Sequence, residues 1–249
     1  MRALAGAAAL VLLLTGCGSA GGDAGGDRTL TVYAAASLKG AFEQLGKDFE
    51  GDHAGVRVAF SFAGSSDLVS QVQQGADADV LASADEATMG ELTGDHLVDD
   101  PRIFATNTLT AAVPPDNPAG VESLKDLTRA GVRLVTCAPQ VPCGSAAARL
   151  AEAAGVRFEP VSEEQSVTDV LNKVVSGEAD AGLVYVTDAE GAGDKVASID
   201  LPEARDVVNR YPIATVKDSE EQRLAQEFVD LVTGPDGRKV LAGAGFGKP

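Results

Sequence analysis

Hydrophobic and polar positions along this chain follow two alternating rhythms. Short apolar runs read as strands: Leu30 to Ala35, Val56 to Phe62, Asp79 to Ala82, Leu109 to Val113, Arg133 to Cys137, Ala181 to Val186 and Tyr211 to Val216. Between them the apolar spacing lengthens to that of a helix. Leu38, Phe42, Leu45 and Phe49 share one face of a helix expected from Leu38 to Glu50. Further helices are expected at Ser66 to Gln74 before Gly75, at Leu124 to Ala130, and at Ser145 to Ala154 before Gly155. Two more follow at Val167 to Ser176 and at Ser219 to Val232. Strands and helices in alternation give an α/β fold.

Two features of the pattern repeat. The segment "DADVLASAD" (Asp77 to Asp85) matches "DAGLVYVTD" (Asp180 to Asp188) at a constant offset, and each follows a helix ending at glycine, Gly75 or Gly177. The match is short enough for chance to compete, but it points to two lobes built on one plan. The second repeat is a strand, a turn of tiny residues, then a helix. It occurs in "YAAASLKGAF", in "VAFSFAGSSDLVSQVQ" and in "RLVTCAPQVPCGSAAARL". Such a unit aims a helix N-terminus out of the carboxyl edge of a sheet, where open α/β sheets bind ligands. Unpaired N–H groups and a partial positive charge make that end an anion site without any cationic side chain. Taken singly, Ser37 and Ser65 or Ser66 are explained by N-capping, worth about 1 kcal/mol each, and Asp67 is an ordinary dipole partner. Repetition of the same small, hydroxyl-bearing turn favours a shared ligand.

The N-terminus is set apart by composition. Met1-Arg2, the apolar run Ala3 to Leu14 and Leu14-Thr15-Gly16-Cys17 form a secretory signal too short to span a bilayer stably. It resembles a bacterial lipoprotein signal, with residues 1–16 removed and Cys17 lipidated; an ordinary signal peptide with a chance cysteine is the alternative. Residues 17–27, rich in glycine, then form a flexible tether. The remaining cysteines, Cys137 and Cys143, suggest a disulfide in an exported chain, whereas a zinc site would want further ligands and no His or third Cys is near.

Net charge is −17 without a basic stripe, which argues against nucleic acid as a partner. Aromatic residues are only 4 % with no Trp, which disfavours a stacking site for sugars or bases. A secreted serine hydrolase would need a Gly-x-Ser-x-Gly elbow, and the sequence has none. His53 and His96, the available bases, sit in polar, loop-like contexts. The closing "GAGFGKP" lacks the spacing of a phosphate loop.

In order along the chain, "LTVYAAASLKGAFEQL", "SFAGSSDL", "GADADVLASAD", "NTLTAAVP", "VPCG", "GLVYVTDA", "YPIATV" and "GFGKP" resemble the molybdate-binding proteins of ABC-type importers. The resemblance covers Leu30 to the C-terminus. It implies a two-lobed periplasmic-binding-protein fold of type II, with residues 28–107 and 217–249 in lobe 1 and 108–216 in lobe 2. Leu109 to Val113 and Tyr211 to Val216 are expected to cross between lobes. It further implies a binding protein rather than an enzyme, with no cofactor. The ligand would be molybdate or tungstate, held by the Ser37 and Ser65 hydroxyls, the backbone N–H groups of Cys143 and Val167, and the Tyr185 hydroxyl. Cys143 departs from the alanine expected there, a change that a backbone donor tolerates. Without the resemblance, Tyr185 and Val167 read as packed residues of a strand and a helix. The implied chain is a monomeric, extracytoplasmic lipoprotein that delivers its ligand to a membrane permease. Sulfate or phosphate remains the alternative ligand.

Overall fold

The computed structural model describes residues 28–249. The signal, the tether and Cys17 lie outside the described residues. The chain opens with β1 (Arg28–Ala35), a 3-10 turn (Ala36–Leu38), α1 (Lys39–Asp52), β2 (Val56–Ala63), α2 (Ser65–Gln73), β3 (Val80–Ala82), α3 (Glu86–Gly94) and β4 (Arg102–Asn107). It continues with β5 (Leu109–Val113), β6 (Leu134–Cys137), α4 (Pro142–Ala154), β7 (Ser162–Glu164), α5 (Val167–Val175), β8 (Ala181–Tyr185), α6 (Val186–Ala192) and β9 (Ala197–Ile199). It closes with β10 (Asn209–Thr215), α7 (Gln222–Thr233) and α8 (Pro235–Gly243).

These strands form two sheets, ordered β2-β1-β3-β10-β4 and β7-β6-β8-β5-β9. The plan is the same in both. A strand with two parallel neighbours (β1 or β6) pairs with a central strand (β3 or β8), and the remaining two pairings in each sheet are antiparallel. The repeated segment at Asp77 and Asp180 falls on β3 and β8, the centre of each sheet. Two lobes on one plan are therefore visible in the hydrogen-bond ladder.

One boundary differs from expectation. Residues 209–216 were expected in lobe 2, but β10 pairs with β3 and β4 and belongs to the first sheet. Strand pattern shows that a segment is extended and buried; it does not show which sheet receives it. Neither expected crossing strand crosses. The chain passes between lobes at Thr108, between β4 and β5, and returns between β9 and β10.

Each sheet carries its helices on apolar faces. Leu38, Phe42, Leu45 and Phe49 are all buried, as the spacing predicts, and each contributes about 1.5–3 kcal/mol. Phe42 and Phe49 meet Phe228 of α7 with ring centroids 6.0 and 5.4 Å apart, tying α1 and α7 over one sheet. In the second lobe α5 lies close on β8: a Cβ at Gly182 would sit 2.8 Å from Val170 Cγ1. Glycine there fixes how near the body of α5 comes to the sheet. His53 stacks on Phe49, and Phe246 of the "GAGFGKP" tail packs on Tyr211. Both motifs have structural roles.

Candidate functional site

Four helical segments follow the carboxyl ends of β1, β2, β6 and β7 after at most four residues, two from each lobe. Ser37 lies in the 3-10 turn after β1, and Ser65 is the first residue of α2 after Gly64. The second-lobe helix expected from Ser145 begins earlier, at Pro142, because proline's fixed φ and missing N–H suit the first helical position. Cys143 thereby becomes the second residue of α4 rather than part of a loop, and its N–H belongs to the unpaired first turn. Val167 opens α5, whose preceding Ser166 caps Asp169 N–H at 3.2 Å. Cys137 and Cys143 are disulfide-bonded, with Cα atoms 5.6 Å apart, pinning the start of α4 to the end of β6.

Ser37, Ser65, Cys143, Val167 and Tyr185 all line one hollow between the lobes. It is a narrow hollow, far smaller than the groove beside it. The residues lining it include no charged side chain. A larger groove of about 660 Å³ shares Ser37 but carries Lys39, Glu43, Glu190 and Lys195, charges of both signs. That mixed lining suits a small anion far less well.

Each hydroxyl in the hollow has a hydrogen-bond partner behind it. Ser65 Oγ accepts from Ala84 N–H at 3.0 Å. Tyr185 Oη accepts from Asn209 Nδ2 at 2.8 Å. Ser37 Oγ pairs with Tyr211 Oη at 3.1 Å. A hydroxyl carries a single proton. Because Ser65 and Tyr185 accept in these bonds, their protons are not spent on Ala84 or Asn209 and are available to an anion in the hollow. Burial pushes both tyrosines well above the usual phenol range, so they stay protonated donors. Asn209, Tyr211 and the Ala84 N–H were not singled out in the sequence. The available signal was a polar Asn beside a strand, which the structure buries to 1 % exposure.

The lobes are closed on one another. Ser66 Oγ of α2 donates to Gln140 O across the cleft at 2.7 Å, and Asn107 Nδ2 donates to Thr187 Oγ1 at 2.8 Å. A Cβ on Gly64 would stand 2.1 Å from Gln165 O of the facing lobe.

Carboxylates are kept one layer out. Asp85 caps α3 through Thr88 N–H, and Asp188 accepts from Tyr185 N–H at 3.1 Å. Burial pushes the Asp188 carboxyl from 3.8 up to about 7, partly offset by the Tyr185 N–H. The folded state therefore binds an extra proton between those values. Stability from this source is present at low pH and is lost as pH rises from about 4 through about 7. Asp188→Asn keeps an acceptor for Tyr185 N–H and cannot ionise. It is expected to match the wild type near pH 4 and exceed it by about 1–2 kcal/mol at pH 8, partial solvent exposure reducing the full effect. Denaturant unfolding at the two pH values checks this; parallel pH profiles for the two proteins would contradict it.

The sequence model of the bacterial extracellular solute-binding protein family matches residues 30–247. The chain belongs to that family. This solute-binding protein is 49 % identical over 249 residues to the molybdate-binding protein ModA of Mycobacterium tuberculosis, covering 97 % of this chain and 95 % of the relative. In structure it resembles the periplasmic molybdate-binding protein of Azotobacter vinelandii, with a TM-score of 0.76, 23 % identity and coverage of 88 % and 99 % of the two chains. It also resembles the tungstate ABC transporter protein of Geobacter sulfurreducens, with a TM-score of 0.70, 19 % identity and coverage of 88 % and 99 %. These likenesses fit the expected two-lobed α/β architecture. The solute-binding protein is not an enzyme, and it needs no cofactor beyond its ligand. Among its described residues, no helix is long and apolar enough to cross a membrane.

Proposed function

We propose that this solute-binding protein captures molybdate, with tungstate as an equivalent ligand, outside the cytoplasm and delivers it to the permease of an ABC importer. Carried by the same reading are a monomeric state and a lipid anchor at Cys17. One observation bears most of the weight: five donor-bearing residues from both lobes line a compact hollow with no charged side chain. The donors assigned are the hydroxyls of Ser37, Ser65 and Tyr185 and the N–H groups of Cys143 and Val167.

The chemistry selects among anions. Molybdate at neutral pH is a tetrahedral dianion with no proton to donate, so a site of donors alone suits it. Singly protonated phosphate would place its proton against those donors and find no acceptor. Sulfate has the same charge and shape but is smaller, so discrimination against it rests on the size of the closed hollow. Helix dipoles and backbone amides supply the local field, and surface charge is screened beyond about 8 Å. Buried donors left unpaired are costly, which favours a tightly held anion over an empty closed site.

Thermal-shift and calorimetric titration against molybdate, tungstate, sulfate and phosphate tests this reading. Stabilisation by molybdate and tungstate at concentrations where sulfate and phosphate have no effect is expected; equal response to sulfate would overturn the assignment. In the same assay Ser37→Ala is expected to bind molybdate about tenfold more weakly with an unchanged fold, since one hydrogen bond to a charged group is lost. Wild-type affinity in that variant would remove Ser37 from the site.

A further inference from the structure

We propose that Arg149 and Asn209 form a hydrogen-bond relay that turns the Tyr185 proton toward the hollow, making Asn209 a positioning residue for anion capture. The proposal rests on the reading of the hollow as an oxyanion site and adds a cation that acts without touching the anion.

The direction of each bond follows from donor and acceptor chemistry. Arg149 Nη2 donates to Asn209 Oδ1 at 2.8 Å. A guanidinium has donors only, so the amide oxygen must face it. The amide nitrogen then faces the other way, donating to Ala84 O at 3.0 Å and to Tyr185 Oη at 2.8 Å. Ala84 O accepts only, which demands the same amide orientation independently. Tyr185 Oη is thereby held as an acceptor, and its own proton is directed away from Asn209. Tyr211 packs beside it with ring centroids 5.9 Å apart, and its hydroxyl, which pairs with Ser37, is the neutral acceptor that competes for that proton. An anion in the hollow that Tyr185 lines is a stronger acceptor than a neutral phenol and draws the proton to itself.

The relay also spans the lobes. Asn209 stands on β10 and Ala84 follows β3, both in the first lobe, while Arg149, Tyr185 and Pro142 belong to the second. Asn209 Nδ2 comes within 3.4 Å of Pro142 O at the start of α4 as well. The chain of bonds is complete only with the lobes shut, so closure and the readiness of Tyr185 to donate are one event. A charged donor at the head of the chain polarises each bond after it.

The test is a double-mutant cycle in calorimetric molybdate affinity, with melting of the anion-free protein as a control. Asn209→Leu removes the relay while keeping the branched shape and number of side-chain heavy atoms, and is expected to weaken binding about tenfold. Tyr185→Phe weakens it by at least as much. Adding Asn209→Leu to Tyr185→Phe should then change affinity by less than about twofold, since the relay has no proton left to direct. Arg149→Met, on the outer side of α4, serves where Asn209→Leu disturbs folding. It is expected to weaken binding about threefold in the wild type and to have no effect beside Tyr185→Phe. Wild-type affinity in both variants, or losses undiminished in the Tyr185→Phe background, would overturn the relay while the wild type still binds molybdate. A wild type that fails to bind molybdate would overturn the functional reading and the relay together.

Discussion

Gly64→Ala is expected to weaken molybdate binding about a hundredfold while leaving the anion-free protein folded. Gly64 precedes α2 with φ of −60°, so alanine meets no backbone strain there. The obstacle lies across the cleft, where the added Cβ would stand 2.1 Å from the Gln165 carbonyl oxygen. Non-bonded heavy atoms prefer separations near 3.5 Å, so the lobes must part by about 1 Å or more. In the parted form the donors on α4 and α5 no longer reach an anion held by Ser37 and Ser65. A closed population lowered a hundredfold lowers apparent affinity by the same factor, about 2.7 kcal/mol. Nothing within either lobe is disturbed, so anion-free melting should shift little. Calorimetry with the variant checks this, and wild-type affinity would show that closure at Gly64 is not required.

Ser65→Ala is expected to impair both binding and folding. Its hydroxyl lines the hollow and also accepts the buried Ala84 N–H at 3.0 Å. Removing the donor to a dianion costs about 1.5–3 kcal/mol of binding, which reaches a hundredfold in affinity at the upper end. Leaving Ala84 N–H unpaired costs about 1–3 kcal/mol of stability in the anion-free protein. Ser37→Ala serves as the contrast, because Ser37 is half-buried and its partner is the Tyr211 hydroxyl rather than a buried backbone N–H. Denaturant unfolding and calorimetry on the two variants separate these effects. A Ser65→Ala protein as stable as the wild type would show that Ala84 N–H finds another acceptor.

Long periodic stretches made much of the fold legible in the sequence. The face built from Leu38, Phe42, Leu45 and Phe49 carries its own period, and the helix stops at Gly75 and Gly155 are backbone positions with φ of 86° and 63° that favour glycine. Elements without such a signal escaped. β7 and β9 have three residues each, too short to show alternation, and α8 holds a proline and two glycines. α3, β4 and α6 were likewise missing from the expected elements. The placement of β10 escaped for a different reason: strand pairing across more than a hundred residues leaves no local trace.

The site divided in the same way. Hydroxyls and tiny residues in strand–turn–helix units mark helix starts, and so Ser37 and Ser65 could be picked out locally. Cys143, Val167 and Tyr185 came only through the family resemblance, since each has an ordinary packing role. The groups that orient those donors were not legible at all. Asn209 and Arg149 are sixty residues apart, and only the folded chain places them 2.8 Å from one another.

A crystal structure of the molybdate complex tests the central claim most directly. It is expected to show one anion between the lobes, contacted by the Ser37, Ser65 and Tyr185 hydroxyls and by the Cys143 and Val167 N–H groups. No lysine or arginine should lie within hydrogen-bond distance of it. An anion held by a cationic side chain, or seated outside this hollow, would contradict the account.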